Sequence, residues 1–279
     1  MSHFSIAVSP SGPRRRAALS RVLRKLLPLI VIAVILIVWE AIVYVFAIPA
    51  FMLPAPSEVF VVGWRTREII LTNAAQTLMT TLAGFALALV FGLVSGVVVG
   101  SSRLVYDGIY PTLIGFNSIP KVAIIPILVI WIGVGTVPAI ITAFLISFFP
   151  ILVTVATGIA TVEPELKDVL RALGASRFQI IRKIGLPRTM PYFFASLKVA
   201  ISLAFVGSIT AESIASNQGI GYLMLVASSR FQVPLAFAGL LVTALMGVAM
   251  YAISSAFEKR MTGWATRGTQ DAGGMGSYG

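Results

Sequence analysis

The chain has 279 residues, of which 58% are hydrophobic and 11% charged, with a mean hydropathy of +0.96 and a formal net charge of +11. That balance excludes a water-soluble globular fold; with about 20 apolar residues needed per crossing, there is room for roughly six spans and none for a separate soluble catalytic domain. The absence of cysteine excludes disulfides and thiolate metal sites.

Arg14, Arg15, Arg16, Arg21, Arg24 and Lys25 precede an apolar run from Pro28 to Ile48. The run is long enough to span and no small-residue cleavage site follows it. It therefore reads as a first transmembrane helix behind a basic tail, residues 1–27, rather than as a secretory signal. Further spans are predicted over about 73–100, 108–133, 136–160, 190–214 and 234–256. In the second, Gly84, Ala88, Gly92, Gly96 and Gly100 recur every four residues, a ridge that lets another helix approach closely, from the same subunit or from a second copy. The third contains Pro111, Pro120 and Pro126, which predict a kink or break. A break frees backbone polar groups that lipid cannot satisfy, so this segment should face protein or a water-lined cavity. Asn117, Ser118 and Lys121 gather there as a candidate translocation path. Lys121 either offers positive charge to an anionic solute, snorkels to the inner headgroups, or pairs with an acid.

The segment from 161 to 188 is charged and lies between two long apolar stretches. Leu166, Val169, Leu170 and Leu173 follow an i, i+3, i+4, i+7 pattern and predict one apolar helix face, opposite Lys167, Asp168 and Arg171. Gly174 is placed to stop that helix. Ser176 and Gln179 form an S-x-x-Q capping box for a second short helix carrying Ile180, Ile181 and Ile184, which Leu186-Pro187 closes. Two amphipathic helices at a sharp bend make an apolar knob, and such a knob needs a partner to cover it.

Farther along, Lys198 is near enough to the inner surface to snorkel, and Glu212 should face the interior or the outer loop, as part of a gate or as a pin for that loop. Asn217, Gln218, Gly219 and Gly221 interrupt residues 213–233 and suggest a re-entrant or folded outer segment. Structural pairing is the expected role of Glu40 in the first span. Residues 1–11 and 268–279 are small and polar and are expected to be disordered.

Placing the N-terminus in the cytoplasm puts most basic residues inside: the six N-terminal ones, Arg103, six between Lys167 and Arg188, then Lys259, Arg260 and Arg267. Only Arg65, Arg67 and Arg230 fall outside. This positive-inside bias orients a multi-pass protein with both termini cytoplasmic, and it assigns the basic charge to anionic lipid rather than to nucleic acid.

Gly174, nine intervening residues, Ile184 and Leu186-Pro187 resemble the EAA loop, EAA-x3-G-x9-I-x-LP, of the inner-membrane permease subunits of binding-protein-dependent ABC importers. Asp168-Val169-Leu170 stands where that pattern has Glu-Ala-Ala. Leu53-Pro54-Ala55-Pro56, Ser118-Ile119-Pro120, Trp131-Ile132-Gly133-Val134-Gly135 and Gly219-Ile220-Gly221-Tyr222 are similar to the nitrate, sulfonate and taurine branch, over roughly residues 28–265. The resemblance implies an all-α type I importer bundle of about six spans: a permease domain over 28–260 with its coupling loop at 161–188, and a cytoplasmic tail over 261–279. It also implies ATPase contacts at Asp168, Val169, Leu170, Arg171, Gly174, Ala175, Ser176, Ile184, Leu186 and Pro187. The implied partners are cytoplasmic ABC ATPases, an extracytoplasmic solute-binding protein and a second permease subunit, as a homodimer, in the bacterial inner membrane. The solute would be a small anion such as a sulfonate, taurine or nitrate, or within the family a pyrimidine vitamin precursor.

No G-x4-G-K-[ST] phosphate loop, H-E-x-x-H motif or histidine-paired nucleophile lies in the spans, so neither catalysis nor a cofactor is expected of this chain. An ion-driven carrier or channel using Glu40, Lys121, Lys198 and Glu212 as a relay is the competing reading. It leaves the amphipathic loop unexplained. A membrane scaffold without transport is a third.

Overall fold

The structure, a computed structural model, describes residues 13–262, and the side chains of all of these but 13–25, Pro164, Lys167, Arg177 and Thr262. The expectations for residues 1–11 and 268–279 lie outside the described residues. Helix α1 (Pro13–Val45) includes the first span, Leu26–Val45, and extends back through the basic flank. A short helix α2 (Pro56–Arg65) leads into α3 (Arg67–Gly100). The third span is broken: α4 (Arg103–Asn117) and α5 (Ile125–Ile132), joined through a 3-10 turn at Lys121–Ile124, meet at 75°. Of the three prolines, Pro120 sits at the break, Pro111 lies within α4 and Pro126 occupies the first turn of α5, where a missing N–H costs nothing.

Then come α6 (Thr136–Ala160), α7 (Pro164–Ala172), and α8 (Arg177–Ile180), which runs through a π turn at Ile181–Gly185 into α9 (Leu186–Ala215). A short helix α10 (Ile220–Ser229) and a last span α11 (Val233–Thr262) complete the chain. Five helices are long and apolar enough to cross a membrane, six spans if the bent pair is one. No strand occurs among the described residues.

The core is a three-helix sandwich of α3, α6 and α9, filled by Ala88, Ile151, Val155, Ile159 and Ala200. The small-residue ridge of α3 finds its partner here, within the subunit. A Cβ at Gly84 would lie 2.5 Å from the Ala143 Cβ and 2.8 Å from the Ile140 carbonyl oxygen, and one at Gly100 would lie 2.6 Å from the Ala156 carbonyl oxygen. The N-terminal half of α3 has a different chemistry. Asn73, Gln76, Thr77 and Thr80 form a polar stripe at i, i+3, i+4, i+7; Gln76 Nε2 donates to Thr136 Oγ1 at the start of α6 (3.0 Å). At the end of the bundle opposite α7, the helices α2, α3, α10 and α11 share a second cluster of Val59, Ile70, Leu223 and Ala238.

Helix α1 stands largely apart, its span nearly all exposed. Its attachments include the Trp39–Phe237 ring contact and Glu40, whose carboxylate accepts from Ser57 N (3.0 Å) and Ser57 Oγ (2.6 Å) in the first turn of α2. The structural pairing expected of Glu40 is therefore a cap on a neighbouring helix. Lys198 departs from its expectation. Rather than snorkelling alone it pairs with Glu258 on α11 (2.6 Å) and lies 6.0 Å from the Tyr251 ring, because a cation held inside a bundle gains more from a facing carboxylate than from a stretched stem.

Candidate functional site

The bend between α7 and α8 is built by local backbone chemistry. Gly174 has φ +81°; its N–H donates to the Arg171 carbonyl (2.9 Å) and the Ala175 N–H to the Leu170 carbonyl (2.9 Å). This is the paired hydrogen-bond closure of a Schellman stop, and it satisfies carbonyls the helix end would orphan. Both halves of the capping box form: Gln179 Oε1 accepts from Ser176 N (2.8 Å), and Ser176 Oγ accepts from Gln179 N (3.3 Å).

The second helix does not end at Leu186-Pro187 as the spacing predicts. It continues through the π turn into α9, with Pro187 in the first α-helical turn after it. The wider turn leaves room for a proline ring that would otherwise crowd the carbonyl of Lys183, four residues back. Helix α8 and the fifth span are thus one continuous helix that leads from the bend into the core.

The four apolar residues of α7 divide in two. Leu166 and Leu170 are half-buried, whereas Val169 (58% exposed), Leu173 (77%) and, on α8, Phe178 (70%) are uncovered. Ile184 and Leu186 are half-buried, and Ala175 sits half-buried inside the bend beside exposed Ser176 and Pro187. Asp168 and Arg171 pair at 3.1 Å and line, with Ser102, Arg103 and Ile180, a cleft of about 610 Å³ between the α3–α4 turn and the bend.

Glu163, at the N-cap of α7, and Arg188, in the first turn of α9, form a bidentate ion pair with N···O distances of 2.5 and 2.7 Å. The guanidinium holds the Glu163 carboxyl below the usual carboxylate range, so the pair is ionised at neutral pH. This strut was not legible in the sequence, since its ends are separated by 25 positions and neither belongs to a local motif.

The candidate path residues fall in two places. Asn117 and Ser118 are exposed on the broken span, and Lys121 is half-buried beside them. Lys121 Nζ donates to the Asn117 carbonyl and to Asn117 Oδ1 (2.8 Å), and stands 4.9 Å from the Phe149 ring centroid. Around them Ile114, Phe116, Ile119, Val122, Ile130 and Trp131 are exposed. Glu212 is elsewhere, wholly buried inside the subunit between α3, α9 and α10. Its carboxylate accepts from Thr77 Oγ1 (2.7 Å), Thr80 Oγ1 (2.9 Å), Ser208 Oγ (3.3 Å) and Gly221 N (3.3 Å). The sequence signal for these partners is the polar stripe of α3, at helical spacing inside an apolar span.

The family profile described as "Binding-protein-dependent transport system inner membrane component" matches residues 88–263. A protein of Haemophilus influenzae named "Probable ABC transporter permease protein" is 30% identical over 229 residues, covering 82% of this chain and 94% of that one. The riboflavin transport system permease protein RibX of Chloroflexus aurantiacus is 30% identical, covering 84% and 88%. The taurine transport system permease protein TauC of Escherichia coli is 27% identical, covering 84% and 87%. Among solved structures, a chain of the inward-facing MetNI methionine ABC transporter superposes with a TM-score of 0.60 at 18% identity, over 70% of this chain and 97% of that one.

Proposed function

This chain belongs to the binding-protein-dependent transport system inner membrane component family and is a permease subunit of an ABC importer with the MetI-like fold, and from that premise we propose that its α7–α8 bend is the handle of a separate cytoplasmic ATPase. The observation that carries the proposal is the combination of a bend closed by two backbone hydrogen bonds and a capping box with apolar side chains left bare at Val169, Leu173 and Phe178. A surface so rigidly built and so uncovered is made for a partner. Asp168, Val169, Leu170, Arg171, Gly174, Ala175 and Ser176 form the part that enters the ATPase cleft; Ile184, Leu186 and Pro187 join it to α9.

In this reading both termini and the bend lie in the cytoplasm of the bacterial inner membrane, residues 28–260 are the permease domain, and two copies pair across the α4–α5 face. That face is apolar and bare, and its break at Ser118–Pro120 requires protein or water rather than lipid. Asn117, Ser118 and Lys121 would then line the path between the copies. ATP-driven closure of the ATPases would draw the handles together and switch the paired α4–α5 faces toward the binding protein outside.

The relay needed by an ion-driven carrier finds no support. Glu40, Lys121, Lys198 and Glu212 are each bonded to a different group and share no contact. Lys121, with no carboxylate among its bonding partners in the described residues, favours an anionic solute such as a sulfonate, taurine or nitrate over the other solutes after which relatives are named.

In proteoliposomes holding the subunit, its ATPase and its binding protein, uptake of the sulfonate should require ATP. Lys121→Gln should raise the half-saturating concentration about tenfold, the loss of one charge-assisted contact. Uptake by the subunit alone without ATP would establish the carrier reading. Unchanged saturation in Lys121→Gln would remove Lys121 from the path.

A further inference from the structure

The outer helix α10 begins where a helix should not. Its first residues, Ile220 and Gly221, are buried beside Glu212, so the N–H groups of its opening turn lie away from water. Three successive N–H groups are nevertheless met by side chains from two long helices. Gly219 N donates to Asn73 Oδ1 (2.8 Å), Ile220 N to Thr77 Oγ1 (2.8 Å) and Gly221 N to Glu212 Oε2 (3.3 Å). Thr77 relays between them, since its hydroxyl accepts from Ile220 N and donates to Glu212. Thr80 and Ser208, in hydroxyl contact with one another, close on the other carboxylate oxygen.

The glycines are required by this arrangement. A Cβ at Gly219, where φ is +102°, would lie 2.3 Å from the Glu212 carboxyl carbon, and one at Gly221 would lie 2.2 Å from the Ile209 carbonyl oxygen. The opening of α10 thus gives its three N–H groups to three side-chain acceptors of the same protein, one of them the Glu212 carboxylate. Glu40 treats α2 in the same way.

We propose that Glu212 is a positioning residue for transport: its carboxylate, seated on the N-terminus of α10, binds α10 to α3 and α9 so that the outer end of the subunit moves as one rigid piece. Motion imposed at the handle through α9 then reaches the outer mouth instead of being lost in a loose α10. The transport part of this inference rests on the importer reading; the hold on α10 does not.

Because the chain has no cysteine, Ala227→Cys places a single buried thiol on α10, at a residue only 1% exposed. With that reporter in nanodiscs, both Glu212→Gln and Thr77→Val should increase the rate of modification by a water-soluble maleimide about tenfold, the effect of one lost buried hydrogen bond on local opening. With the ATPase and binding protein present, the same variants should lower the solute moved per ATP hydrolysed. A purely stabilising role would lower protein level and leave that ratio unchanged. If Glu212→Gln does not insert, Thr77→Val decides. Modification no faster than in the parent overturns the hold on α10, and faster modification with an unchanged solute-to-ATP ratio overturns its part in transport. A parent that shows no ATP-driven uptake defeats the importer reading, while the maleimide rate still decides the hold.

Discussion

Gly174→Val is expected to abolish ATP-driven uptake while the subunit remains in the membrane at its normal level. The space around Gly174 is open, with nothing within 4 Å of an added Cβ, so the cost is conformational rather than steric packing. At φ +81° an L-residue carries about 1–2 kcal/mol of strain, and a β-branched one more. That is small against the packing of α3, α6 and α9 but large for a bend held by two backbone bonds and a capping box. The bend relaxes, the angle between α7 and α8 is lost, and bare Val169 and Leu173 no longer point together. Gly174→Asp should uncouple by the same route with a smaller loss, because aspartate tolerates the left-handed region. Uptake measured beside membrane level checks this; normal uptake in Gly174→Val would show that the bend transmits nothing.

Gly84→Val should have the opposite profile, with no stable subunit to assay. Its Cβ would press on the Ala143 Cβ and on the Ile140 carbonyl of α6, and neither α3 nor α6 has room to retreat from a core already filled. Overpacking of this kind costs about 1–3 kcal/mol where side chains give way, and more against backbone. Val94→Ala, at a residue 59% exposed on the same helix, should leave the level unchanged. Immunodetection in membranes and thermal unfolding in detergent distinguish the two. Wild-type accumulation of Gly84→Val would mean that α3 and α6 are not in contact along this ridge.

What could be read from the sequence was what neighbouring residues decide among themselves. The glycine stop at Gly174, the Ser176–Gln179 box, the break at Pro120 and the four-residue ridge of α3 are all written within a few turns of chain. The ridge does not name its partner, since small residues invite any helix; the choice of α6 depends on volumes distributed along both. Pro187 does not reveal its place from spacing alone, because proline that ends one helix is equally at home in the first turn of the next, and the π turn before it leaves no mark in composition. Lys198–Glu258, Glu163–Arg188 and the Thr77–Glu212 contact join residues far apart in sequence. An unaccompanied charge in a span says only that a partner exists, and the fold decides which.

The central claim is that the bend beneath the bundle is gripped by a nucleotide-hydrolysing partner. In a chain without cysteine, Leu173→Cys, at a residue 77% exposed on the bend, can carry a photoactivatable cross-linker, and Phe231→Cys, at a residue 76% exposed at the opposite end, serves as the control. Illumination in native membranes should join position 173, and not 231, to a protein that hydrolyses ATP. Capture of no such protein at 173, or labelling of 173 by an impermeant reagent from outside intact cells, would contradict the account.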